Sequence, residues 1–352
     1  MTVPKRLIIL SALVIITGSA IAQYSDSSFF NNPLAVEAWI KENKVPALGI
    51  GIIRDGKLRE VSMYGELKKT VPAPYNAIFN VASLTKPVVA ILTLKLVSEG
   101  KWQLDEPLAK YWTDPDVIND PRSKKLTTKH VLSHQTGFTN WRWNNPSKKL
   151  EFFFEPGTKH QYSGEGFEYL RKALERKFNK PITILVDSLV FRPAKMKDSY
   201  MGWNKAIDES RFACWHDKDG NHAYPDHSNV RASAADDLNT TVEDYSNFCV
   251  AVLAGLGIKP ELFKEMIKPQ STIRERDFMG LCWEIITELG DKKESVILHS
   301  GSDKGVNTLA ILAPATKSGL VIFTNSDIGY KLYDKLIAEL LPIGKELLKM
   351  PH

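Results

Sequence analysis

Strand-like runs stand at the two ends of this chain, and the long stretch between them carries mainly helical periodicity. Near the N-terminus, residues 48–53, the turn Arg54-Asp55-Gly56-Lys57 and residues 58–64 read as a hairpin with an Asp-Gly tip. Near the C-terminus, the apolar runs 295–299, 308–312 and 319–324, separated by Gly, Asp, Pro and Ser turns, read as antiparallel strands. One sheet built from both ends is the economical solution. The expected fold is α+β, with an antiparallel sheet flanked by helices and an inserted, mainly helical lobe. Residues 33–348 form one catalytic domain on this reading, with a sheet lobe of 33–90 plus 270–348 and a helical lobe of 91–269. The cleft between lobes is where a site is expected.

Helical patterns fill in the frame. Residues 34–43 place Leu34, Val36, Trp39 and Ile40 on an apolar face. Residues 88–99 are followed by Gly100 at the position of a C-terminal cap. Another helix starts near Thr240-Thr241, where Thr240 with Glu243 fits a capping box, and a last helix covers 330–348.

With 43% hydrophobic and 25% charged residues over 352 positions, the chain can bury a sizeable core. Residues 1–22 have the form of a secretory signal: Lys5 and Arg6, an apolar run, then Ala20-Ile21-Ala22. That run is shorter than the roughly 20 residues that span a bilayer, so cleavage and a periplasmic or secreted bacterial product without membrane insertion are expected. A net charge of +5 is too small to argue for nucleic acid. Cys214, Cys249 and Cys282 allow at most one disulfide. No G-x-S-x-G elbow, P-loop or G-x-G-x-x-G is present. His130 and His134 are spaced to share a helical face, and Asp217, Asp219, Asp226, His216, His222 and His227 form a His/Asp-rich stretch. No third ligand accompanies the first pair, and Asp219-Gly220 reads as a hairpin turn, so no metal or cofactor is assigned.

Chemistry points to Ser83-Leu84-Thr85-Lys86, an S-x-x-K pattern that sets a lysine one helical turn beyond a serine. Ser98 and Lys101 match the same letters, but Ser98 lies at a helix end. Ser83 opens a helix, where free N–H groups favour negative charge, and Pro87 is tolerated only near such a start. A lysine desolvated in a cleft can assist removal of the serine proton.

The segments 45–46, 79–87 and 126–138, with Thr324-Asn325, resemble the serine β-lactamase and penicillin-recognising DD-peptidase superfamily, in the branch of class C β-lactamases, D-alanyl-D-alanine carboxypeptidases and esterases. The resemblance implies the β-lactamase/transpeptidase-like fold and an acyl-enzyme serine hydrolase acting on an amide or ester, with carboxypeptidase, aminopeptidase and esterase activity all open. It assigns Tyr162, after Pro156-Gly157, as general base beside Lys86, in preference to Tyr245 within a helix pattern. It assigns His299-Ser300-Gly301 as the strand triplet, in preference to Lys317-Ser318-Gly319 in a turn, and the amides of Ser83 and Ser302 as the oxyanion hole. Gly164, Ser300, Gly301 and Trp141 would meet the substrate, a small molecule or peptide, in a monomer. Three departures stand out: Gly164 where relatives carry an amide-holding Asn, His299 where many carry Lys, and Ala235-Asp236-Asp237-Leu238 where relatives show Gly-Gly. They leave open an alternative, a cell-wall or peptide-binding protein with weak or no turnover.

Overall fold

The computed structural model describes residues 29–225 and 231–350, so the leader expected at 1–22, and Asp226 and His227, lie outside the described residues. In chain order its strands are β1 (Ala47–Arg54), β2 (Lys57–Lys68), β3 (Val71–Pro72), β4 (Ile78–Asn80), β5 (Tyr200–Met201), β6 (Leu238–Thr241), β7 (Ser271–Arg274), β8 (Asp277–Met279), β9 (Glu284–Leu289), β10 (Glu294–Asp303), β11 (Val306–Ala313) and β12 (Ser318–Thr324). The helices are α1 (Pro33–Glu42), α2 (Thr85–Ser98), α3 (Thr128–Leu132), α4 (Gly164–Phe178), α5 (Ile182–Val186), α6 (Val242–Leu253), α7 (Pro260–Met266), α8 (Tyr333–Leu340) and α9 (Gly344–Leu347).

Both ends of the chain meet in one nine-stranded sheet of order β3-β2-β1-β12-β11-β10-β9-β8-β7, with antiparallel pairing throughout. Ile50 faces Ile322 across the seam between β1 and β12, and Leu309 faces Ile322 across β11 and β12. Every residue of β11 and β12 is buried. Strands buried along their whole length need cover on both faces. Here α6 packs on β1 and β12. Ile50, Leu309 and Ile322 instead belong to a second core with Val36 and Ile40 of α1 and Leu336 of α8.

The sequence reading misses β7, β8 and β9 because they are short and interleave polar with apolar residues. It also misses the second sheet, β4-β6-β5. Thr241, not Thr240, caps α6, accepting from the Asp244 amide, while Thr240 belongs to β6. The expected terminal helix is broken into a 3-10 turn, α8 and α9, because Pro342 cannot continue the ladder.

α2 matters most for the site. It is apolar on nearly all sides and correspondingly buried from Thr85 to Leu94. Its N-terminal end is fixed by Thr85 Oγ1, which donates to Ala82 O at 2.7 Å and accepts from Leu238 N at 2.9 Å. Ala82 is held at φ +46, a left-handed conformation that costs a non-glycine residue about 1–2 kcal/mol. That turn delivers Ser83 to the surface while its neighbours stay buried.

Candidate active site

Ser83 is half-buried at the start of α2, and Lys86 lies one turn on with only 1% of its surface exposed. The Lys86 ammonium donates to Ser83 Oγ at 2.9 Å and to the Ala235 carbonyl at 2.8 Å. The second bond reaches a residue 149 positions away and fixes the lysine against the helical side of the cleft. The Ser83 amide has no hydrogen-bond partner among the described residues and belongs to the open end of the helix, where it can receive an anion.

Tyr162 comes in from the loop before α4. Its ring centroid is 4.8 Å from Lys86 Nζ and 6.2 Å from the His299 ring, so the structure brings all four motif residues together. On its other side it stacks on His134, with centroids 4.2 Å apart and planes 26° from parallel. His134 was not separable from a structural histidine in the sequence. Past the end of α3, with φ +52, it does not share a helical face with His130, so the pair cannot act as one ligand face.

The two buried histidines are in opposite tautomers. His299 Nδ1 lies 2.8 Å from Ser300 O, and a carbonyl only accepts, so Nδ1 carries the proton and Nε2 is bare. His134 Nδ1 accepts from Ser163 N at 3.1 Å, which puts its proton on Nε2. Both Nε2 atoms are buried without a partner among the described residues. Burial, reinforced by the Lys86 charge, pushes the His299 pKa down to about 3 and holds His134 well below the ordinary range. A neutral His299 with a bare Nε2 accepts hydrogen bonds. It therefore does not fit the role of a leaving-group proton donor.

His299, Ser300, Gly301 and Ser302 lie along β10. Pairing with β9 stops at Leu298, so this part of the strand has one open edge. Gly301 presses on the turn that carries Ser83: a Cβ there would sit 2.3 Å from Val81 O and 3.1 Å from Ser83 N. Thr308 Oγ1 on β11 donates to the same Val81 carbonyl at 2.9 Å. Across the cleft, a Cβ on Gly164 would lie 2.7 Å from the Trp141 ring, so the indole occupies the space a side chain at that position would need. Trp141 stacks on exposed Trp143 at 4.6 Å and 10°.

The rival matches fall elsewhere. Ser98 ends α2 and accepts from Lys259 N, whereas Tyr245 is fully buried and donates to Leu84 O. Lys317 sits in the turn between β11 and β12, against Gly56 of the hairpin tip. A cleft of about 540 Å³ bordered by Lys41, Pro46 and Gly220 contains none of the site residues. A second, of about 490 Å³, meets the site through Trp141 and through Asp236, the neighbour of the carbonyl that Lys86 grips.

Fold and site together define a class, the β-lactamase and penicillin-binding fold of serine hydrolase-type enzymes. The family follows from the sequence: residues 22–341 match the family model described as Beta-lactamase, and the chain belongs to that family. It is 21% identical over 321 residues to the Beta-lactamase of Escherichia coli (strain K12), covering 85% of this chain and 83% of that protein. It is 26% identical over 173 residues to Esterase EstB of Burkholderia gladioli, but this match covers only 42% of the chain and 43% of the esterase. The solved D-alanine carboxypeptidase AmpC from Burkholderia cenocepacia superposes with a TM-score of 0.71 over 89% of this chain and 98% of that one, at 19% identity, a likeness of fold.

Proposed function

We propose that the protein is an exported serine hydrolase that transfers an acyl group from an ester or amide to Ser83 and then to water. The observation that carries this reading is the 2.9 Å bond from a buried Lys86 to Ser83 Oγ, with the Tyr162 ring 4.8 Å from the same ammonium. Tyr162, coupled to Lys86, takes the Ser83 proton as Oγ attacks the carbonyl carbon. The amides of Ser83 and Ser302 hold the resulting oxyanion, each worth on the order of 3 kcal/mol in such sites. The same Tyr162 and Lys86 pair returns the proton to the leaving group, because a neutral His299 with a bare Nε2 has none to give. His299 accepts a hydrogen bond that orients substrate, and water releases the acyl group by the reverse proton path.

Gly164 and Trp141 favour esters over β-lactams and D-amino-acid peptides. Position 164 offers no amide to hold a substrate carboxamide, and an indole stands in its place. Assay of p-nitrophenyl esters, D-aminoacyl peptides and cephalosporins with wild type and Ser83→Ala tests this. Ester turnover that exceeds cephalosporin turnover and vanishes in Ser83→Ala is expected. Efficient cephalosporin hydrolysis contradicts the substrate preference, and binding without turnover favours a binding protein.

A further inference from the structure

Asp236 is a carboxylate set where nothing in the acylation chemistry asks for one. It follows Ala235, whose carbonyl anchors Lys86, and it lines the 490 Å³ cleft together with Trp141, Trp143, Glu168, Lys172 and Arg231. Its neighbours compensate it only in part. Ser233 gives it a hydrogen bond, Lys86 acts on it through space, and Glu168 and Asp303 add negative charge. No ion pair to Asp236 occurs among the described residues. Arg142 is bound to Asp114, Asp116 and Glu165, and Arg171 to Glu168 and Glu175, whereas Lys172 and Arg231 line the same cleft without a salt bridge to Asp236. Lys86 spends two of its donors on Ser83 and Ala235. Burial raises the Asp236 pKa, a penalty that a cationic ligand would relieve.

The other side of the site completes the pattern. Neutral His299 supplies no charge to hold a substrate carboxylate. The stacked Trp141 and Trp143 line the same cleft and bring to it aromatic surface of the kind that attracts ammonium groups.

Resting on the reading of Ser83 as nucleophile, we infer that the cleft bordered by Asp236 and Trp141 is a subsite for a substrate ammonium group, so that the substrates are amine-bearing esters or amides rather than anionic ones. The ammonium would pair with Asp236 and lie against the Trp141 face, in reach of the carbonyl held at Ser83. Lys172 and Arg231, which line the same cleft, disfavour a long polycation and limit the preference to a single positive charge.

Isosteric ester pairs test it. The β-alanine p-nitrophenyl ester is compared with the butanoate, and acetylcholine with 3,3-dimethylbutyl acetate, so that the charge lies on the acyl side in one pair and on the leaving group in the other. For at least one pair, the charged member is expected to have the higher kcat/KM by about tenfold, the size of a partly desolvated charge contact. Asp236→Asn and Asp236→Gly should collapse that ratio toward one. No preference in either pair for wild type overturns the inference. An equal fall for charged and neutral esters in both variants does so too, assigning Asp236 to positioning Lys86. If no ester is turned over, the Ser83 reading has failed, and n-butylammonium binding to Ser83→Ala still decides the subsite. Calorimetry should then show about tenfold weaker binding when Asp236→Asn is added, and equal binding refutes it.

Discussion

Gly301 shows how little room the site leaves between β10 and the turn that carries Ser83. A methyl group there would overlap Val81 O at 2.3 Å and Thr308 Oγ1 at 2.4 Å, two atoms already hydrogen-bonded to each other. Neither can retreat without breaking the turn that presents Ser83. Gly301→Ala should therefore lower kcat/KM by about 10²-fold, as small displacements of a positioned nucleophile do, and destabilise by about 1–3 kcal/mol. Steady-state kinetics with urea unfolding would check both. A variant with normal activity would mean that the contact between β10 and the turn is not needed. At this scale much was legible: the spacing of Ser83 and Lys86, and the Gly in His299-Ser300-Gly301, have local reasons that survive in sequence. The grip of Lys86 on the Ala235 carbonyl and the stack of His134 on Tyr162 had no such signal, and the segment 235–238 stood out only as a departure from its relatives. Backbone atoms carry no letter, and contacts between distant segments are set by packing.

Elements hold these residues through one cation in particular. Arg142 bonds to Asp114 at 2.8 Å, Asp116 at 3.0 Å and Glu165 at 2.8 Å, tying the Trp141 loop to the first turn of α4. Asp114 and Glu165 are buried, so removing the guanidinium leaves two carboxylates unpaired in poor solvent. Arg142→Ala is expected to cost about 2–3 kcal/mol, discounted for the partial exposure of the arginine itself, and to release the wall formed by Trp141. Urea unfolding gives the cost, and a fall in tryptophan quenching at the Trp141 and Trp143 pair reports the wall. An unchanged midpoint would show that the carboxylates find other partners. The sequence marked Trp141 as a substrate contact but did not single out Arg142, because four separated charges read as ordinary surface until the fold joins them. Element boundaries failed for similarly physical reasons. Pro342 breaks the last helix, and β7 to β9 are too short for periodicity to register.

Across the whole molecule, the two ends of the chain close one sheet, as the placement of strand-like runs indicated, and the site lies where that sheet meets the helical segments. This burial has a cost at low pH. His299 titrates near 6.5 when unfolded and near 3 when folded, so between those values the unfolded state binds more protons and stability falls as pH drops. From pH 7 to pH 5 the loss from this group is on the order of 2 kcal/mol. His299→Gln should remove that share, so wild type and variant, unfolded in urea at both pH values, should differ in pH slope. Equal slopes would mean that His299 is not held neutral.

The proposed function stands on Ser83 as the nucleophile, activated by Lys86 and Tyr162. Intact-mass analysis after reaction with a fluorophosphonate at neutral pH measures this directly. A single adduct on Ser83 is expected, absent in Ser83→Ala and formed far more slowly in Lys86→Met and Tyr162→Phe. Folded wild-type protein that takes no label, or takes it equally well in Ser83→Ala, would contradict it.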